Sequence, residues 1–136
     1  MQVIAYLNFD GNCEEALNFY QSALDGKIVG VLKAGDSPMK VDDADKNKIM
    51  HARMQLGESI IYFSDSFGQN KLTNGDNIHL SLQLNDVNAA ERYFTNLSAG
   101  GTIVRPLEDT FWGARFGMLI DKFGFHWMIN CELKNE

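Results

Sequence analysis

The side chains able to do chemistry in this sequence are few, and none stands at a spacing that names a reaction. His51, His79 and His126 are scattered along the chain, without the close ligand spacing of a zinc site. Each imidazole can hold a hydrogen bond or move a proton near neutral pH. Strand alternation would group His51 with Arg53 and Gln55 on one face, and His126 with Met128 and Asn130 on another. Tyr62 and Ser64 would share a face in the same way, where the phenol either packs or serves as hydrogen-bond donor or acid. His79 opens an apolar run and is either a hydrogen-bonded wall residue or a ligand contact; with Tyr62 it is the candidate for acid–base work. Arg115 sits among Trp112 and Phe116, and a guanidinium beside aromatic rings must find a carboxylate, a phosphate or water. Glu108 or Asp109 is the expected internal partner, with an anionic ligand as the alternative. Cys13 and Cys131 show no metal spacing and read as small, partly buried thiols of a reducing compartment, rather than as a disulfide or a nucleophile.

Larger motifs are missing from the sequence. It has no G-x-S-x-G elbow, phosphate loop, dinucleotide glycine fingerprint or Gly-rich methyl-donor motif, so no cofactor is expected. Phe111, Trp112, Phe116, Phe123, Phe125 and Trp127 crowd the second half; such rings build core more often than they stack on a ligand, and Trp112 is a candidate for the second role. The 136 residues, 45% apolar and 22% charged, suffice for a real core. A net charge of −6, with twelve basic residues that form no run, argues against nucleic acid as a partner. No stretch reaches the roughly 18 apolar residues of a membrane helix. The segment MQVIAYLNFDG lacks the basic region and cleavage site of a signal peptide, so a cytoplasmic protein without membrane contact is expected.

The elements that must position these residues repeat. VIAYLNF reads as a strand, followed by a helix that Asn12 caps with Glu15 in capping-box position and that shows Cys13, Leu17, Tyr20 and Leu24 on one face. Gly26 ends it, and KIVGVL is the next strand. About 74 positions later IHLSLQL is a strand, Asp86 caps a helix showing Val87, Ala90, Phe94 and Leu97, and Gly100 with Gly101 closes it. Phe19-Tyr20 matches Tyr93-Phe94, Ala16 matches Ala90, and Gly26 to Val29 matches Gly101 to Val104. Two further strands complete each half: IMHARMQLG and SIIYFSD, then ARFGMLID and FHWMINC. The organisation expected is therefore α+β: two β-α-β-β-β modules over residues 1–65 and 78–133, joined by a connection over 66–77. A lone unit would leave one sheet face uncovered, so the two are expected to curve into a mixed-sheet cup with helices outside and a small-molecule cavity inside. Residues 34–48 are polar and without period, a long loop that is either a binding lid or disordered.

With that arrangement, YLNFDGNCEEALNFYQSAL, the tripeptide Met50 to Ala52, and RPLEDTFWGARFGMLIDKFGFHWMIN resemble the vicinal oxygen chelate superfamily of glyoxalases, dioxygenases and bleomycin-resistance proteins. The resemblance covers nearly the whole chain apart from 34–48 and is strongest to the PhnB-like branch, which often carries a 3-demethylubiquinone methyltransferase label. It implies the cup fold, a homodimer, and a divalent metal held by the first and last strand of each module. Carried over, the ligand positions are Ala5, Tyr62, His79 and Met128, of which only His79 can hold a hard or borderline ion. A metal site is therefore not expected, although His51, His79 and His126 together could form a rearranged one. The reading is a PhnB-like small-molecule-binding protein without a catalytic metal, whose ligand meets His51, Tyr62, Ser64, His79, Trp112, Arg115 and Met128. The alternatives are a metal-dependent or acid–base lyase, isomerase or dioxygenase, and a drug-sequestering resistance protein. The methyltransferase label has no motif behind it.

Overall fold

A computed structural model describes residues 1–68 and 71–134, and the chain divides into two compact units, Met1–Thr73 and Asn74–Glu136. The division falls inside the expected connection 66–77, whose residues 69 and 70 lie outside the described ones.

In the first unit β1 (Tyr6–Phe9) leads into α1 (Cys13–Leu24), followed by β2 (Lys27–Lys33), β3 (Ile49–Leu56) and β4 (Ser59–Asp65). The sheet order is β1-β4-β3-β2, with β1 parallel to β4 and the other pairs antiparallel. The second unit repeats this with β5 (Leu80–Leu84), α2 (Val87–Ser98), β6 (Thr102–Asp109), β7 (Ala114–Ile120) and β8 (His126–Glu132), in the order β5-β8-β7-β6 with β5 and β8 parallel. Each sheet has one face covered by its helix. Cys13, Ala16, Leu17, Tyr20 and Leu24 of α1 are buried on Leu7, Phe9, Ala52, Met54 and Phe63, and Ala90, Phe94 and Leu97 of α2 on Leu119, Trp127 and Ile129. A large aliphatic or aromatic side chain buried in this way contributes roughly 1.5–3 kcal/mol. Pro106 is accommodated because β6 is an edge strand, where a missing N–H costs no ladder bond.

Three expectations change, and the two units differ at one joint. Asn12 makes no side-chain cap; the buried Asp65 at the end of β4 does that work, its Oδ1 accepting from the N–H groups of Gly11 (2.9 Å) and Cys13 (3.0 Å) and its Oδ2 from Ile49 (2.8 Å). One carboxylate thus ties the β1–α1 joint to the start of β3. Asp86 does cap α2, accepting from the N–H of Ala89 at 3.2 Å. The 34–48 segment is a self-bonded excursion with two short turns: Ala34 N–H donates to Lys48 O (2.9 Å) and Gly35 N–H to Lys46 O (2.8 Å), closing its base. Of the six rings between Phe111 and Trp127 only Trp127 is fully buried, its indole N–H donating to the buried Asp121 at 2.8 Å, while Phe111 is 97% exposed at the β6–β7 turn. Finally, the two strand–helix joints differ in length: three residues, Asp10-Gly11-Asn12 with Gly11 at φ 90°, against two, Asn85-Asp86.

Candidate functional site

The face of each sheet away from its helix carries the polar side chains, because β1 and β4 alternate Leu7, Phe9, Ile61 and Phe63 inward with Tyr6, Asn8, Tyr62 and Ser64 outward. In the first unit Tyr6 is paired with Tyr62 across the parallel seam, and His51 lies on the same face of β3. The Tyr6 hydroxyl and His51 Nδ1 are 3.0 Å apart, and which of them donates depends on the imidazole tautomer. The three rings meet: His51 and Tyr62 edge to face with centroids 4.9 Å apart, Tyr6 and Tyr62 also edge to face at 5.8 Å, and Tyr6 and His51 tilted at 5.8 Å. One step along the seam, Ser64 Oγ donates to Asn8 Oδ1 at 3.3 Å.

The second unit has a matching seam. Ser81 is paired with Met128 and Gln83 with Asn130, whose amide Nδ2 donates to Gln83 Oε1 at 3.0 Å in the place held by Asn8 and Ser64 in the first unit. Before them stand His79 and His126, edge to face with centroids 5.2 Å apart. A depression of about 420 Å³ at the end of β5 is lined by Gln83, Leu84, Asn85 and Glu132, none of them an expected site residue.

Of the expected residues, the structure brings His51 and Tyr62 together in the first unit, with Ser64 beside them, and His79 with His126 and Met128 in the second. Arg115 stands elsewhere. It has the parity of Gly117 and Leu119, toward α2, where Nε donates to Asp109 Oδ1 at 2.7 Å and Nη1 to Glu91 Oε1 at 3.0 Å. Asp109 holds the guanidinium firmly charged, and Arg115 in turn lowers the Asp109 carboxyl below its usual range. Arg115 is therefore a structural clamp between β6, β7 and α2. Trp112 is half exposed at the β6–β7 turn, its ring 5.9 Å from Phe116. Tyr6 and Arg53, both on the helix-free face of the first unit, carry more of this site than the sequence reading gave them. The outward parity of Asn8 and Tyr62 was the signal for Tyr6.

The sequence profile of the Glyoxalase/Bleomycin resistance protein/Dioxygenase superfamily matches residues 4–129. The chain belongs to that superfamily. Within it, the chain is 33% identical to the YjdN protein of Escherichia coli over 96% of its own length and 95% of the relative's. A crystal structure of a Pseudomonas aeruginosa protein matches at 40% identity with a TM-score of 0.88, covering 98% of this chain and 99% of that one. A PhnB protein from Bacillus cereus, labelled as a 3-demethylubiquinone-9 3-methyltransferase, matches at 26% identity with a TM-score of 0.79, covering 98% and 100%.

The divalent metal known from this superfamily does not fit the residues present. Ala5 has the parity of the buried Leu7 and Phe9, so it faces the helix and not Tyr62; the extra residue in the β1–α1 joint shifts the strand by one. Opposite Tyr62 stands Tyr6, and opposite Met128 stands Ser81. Neither pair supplies the imidazole or carboxylate that anchors such an ion, and a thioether suits soft ions. Among the described residues no three His, Cys, Asp or Glu side chains come together.

Proposed function

We propose that this superfamily member binds a small molecule without a catalytic metal ion, and that the ligand rests on the helix-free face of the first unit. The Tyr6–His51–Tyr62 cluster carries this reading. Three rings with polar tips are gathered where the core does not need them, since α1 covers the opposite face. Such a patch offers apolar area together with directional hydrogen bonds, the usual make-up of a ligand surface. Titration with benzamide, a neutral planar probe, is expected to move the amide NMR signals of Tyr6, His51 and Tyr62 first. Tyr62→Ala should weaken that binding about tenfold with unchanged circular dichroism, since ring contacts of this kind contribute on the order of 1 kcal/mol. Shifts confined to other regions, or full affinity in the variant, would overturn the reading, and so would zinc, iron or manganese retained stoichiometrically after dialysis.

A second reading is favoured by one observation. The 3.0 Å contact between the Tyr6 hydroxyl and His51 Nδ1 is a phenol–imidazole pair able to pass a proton, so the same face could run acid–base catalysis. Loss of turnover in His51→Ala with ligand binding retained would select it. His79 and Tyr62, the pair suggested by the sequence, belong to different units. Assembly as a homodimer is supported by the resemblance and by the exposed apolar edges of β2 (Val29, Val31) and β6 (Ile103, Val104). Sedimentation as a monomer at high concentration would count against it. The two buried free thiols support a cytoplasmic location.

A further inference from the structure

We propose that the ligand of the first unit's helix-free face is an anion, a carboxylate borne by a planar ring, and that Arg53 is the residue that holds it. This rests on the binding face proposed above and names the chemistry of what it takes.

Arg53 lies on β3 between His51 and Gln55, exposed, and is the direct cross-strand partner of Tyr62. On its other side it is paired with Gly30 of β2, and a Cβ there would sit only 3.2 Å from Arg53 Nη2 and 3.5 Å from Nε. The guanidinium therefore lies along the sheet over Gly30, a position kept clear of side chain, while the Arg53 backbone is paired on its other side with Tyr62. The other basic residues with resolved partners contrast with it: Arg115 has Asp109 and Glu91, Lys33 has Glu14, and Lys48 has Asp45. Among the described residues Arg53 has no carboxylate partner. The paired strand positions of this face hold two cations, Arg53 and Lys27, and no Asp or Glu, in a chain whose net charge is −6. This face therefore carries positive charge on a chain that is acidic overall, which favours a negative partner. A guanidinium presents two parallel N–H donors that match a carboxylate, and the adjoining Tyr62 and His51 rings offer a wall for a flat body attached to it.

The experiment compares benzoate with benzamide, equal in shape and differing in charge, by NMR titration of wild type and Arg53→Gln. Benzoate should bind wild type about tenfold more tightly than benzamide, because a charge-assisted bidentate contact is worth more than a neutral one. It should move the Gly30 amide and the Arg53 Nε–H signal. Arg53→Gln should bring the two probes to equal affinity, and added salt should weaken benzoate alone. Arg53 is exposed, so the variant keeps its fold, which circular dichroism checks. Benzamide binding this face as well as benzoate, or a benzoate preference that survives in Arg53→Gln, would overturn the anion inference and leave the binding face standing. If neither probe moves signals of this face, both fall.

Discussion

Cys13 lies wholly buried at the first turn of α1, and desolvation, reinforced by the nearby Asp65 and Glu14 carboxylates, pushes its thiol up to about 12. The group is a packing element and not a nucleophile, so native protein should resist alkylation at this position until it unfolds. The unfolded chain loses the thiol proton near pH 9, while the folded chain keeps it, so stability falls as pH rises from 9 towards 12, by at most about 4 kcal/mol from this group. Urea unfolding at pH 8 and at pH 10.5 should therefore show a smaller loss in Cys13→Ala than in wild type; equal losses would mean the thiol is not protected. At this same scale the two arginines show where sequence reasoning ran short. Arg115 drew attention through its aromatic neighbours in the chain, but consecutive residues of a strand point to opposite faces, so Phe116 and Arg115 do not share an environment. Arg53 sat openly in the polar alternation His51, Arg53, Gln55, yet what sets it apart is Tyr62 across the ladder on one side and the bare Gly30 on the other, both facts of strand pairing.

Elements were legible where their signal is local. The amphipathic faces of α1 and α2 are the ones periodicity marks, and Asp86 caps α2 through its own side chain, a contact three residues away. The N-terminus of α1 misled because its cap comes from Asp65, more than fifty residues on. The two caps predict different costs. Asp65→Ala strands three backbone donors, two of them in buried bonds, and should lower stability by about 3 kcal/mol or more in urea unfolding. Asn12→Ala should change it by only a few tenths, because that side chain makes no capping bond. A large loss in Asn12→Ala would restore the capping-box reading.

Across the whole molecule the duplication is the most secure sequence inference, since both units share one strand order and set their parallel pair in the same place. The matched glycines show how deep it goes. Gly26 and Gly101 both follow a helix where the chain presses on the sheet, but a Cβ at Gly26 would meet Met54 Sδ at 2.7 Å and Leu56 Cδ2 at 2.9 Å, whereas one at Gly101 would run into the Ile120 carbonyl oxygen. Side-chain ends yield and backbone does not. Gly101→Ala should therefore cost clearly more than Gly26→Ala, on the order of 3 kcal/mol against about 1 in thermal unfolding, and the reverse order would contradict the placement of β6. What duplication could not supply is the identity of the site, because its copies have diverged in the side chains that face outward: an aromatic cluster in one, a histidine pair in the other.

The extra residue in the β1–α1 joint carries a lesson for the gene. One in-frame codon gained or lost there would leave the helix seated and exchange the two sides of the strand before it, so that Ala5 and Leu7 would turn outward and Tyr6 and Asn8 would turn under the helix. The chemistry a module displays is thus set by the length of a joint as much as by the letters of the strand. Two relatives with the same strand residues and joints differing by one codon would show their ligands different sets of side chains.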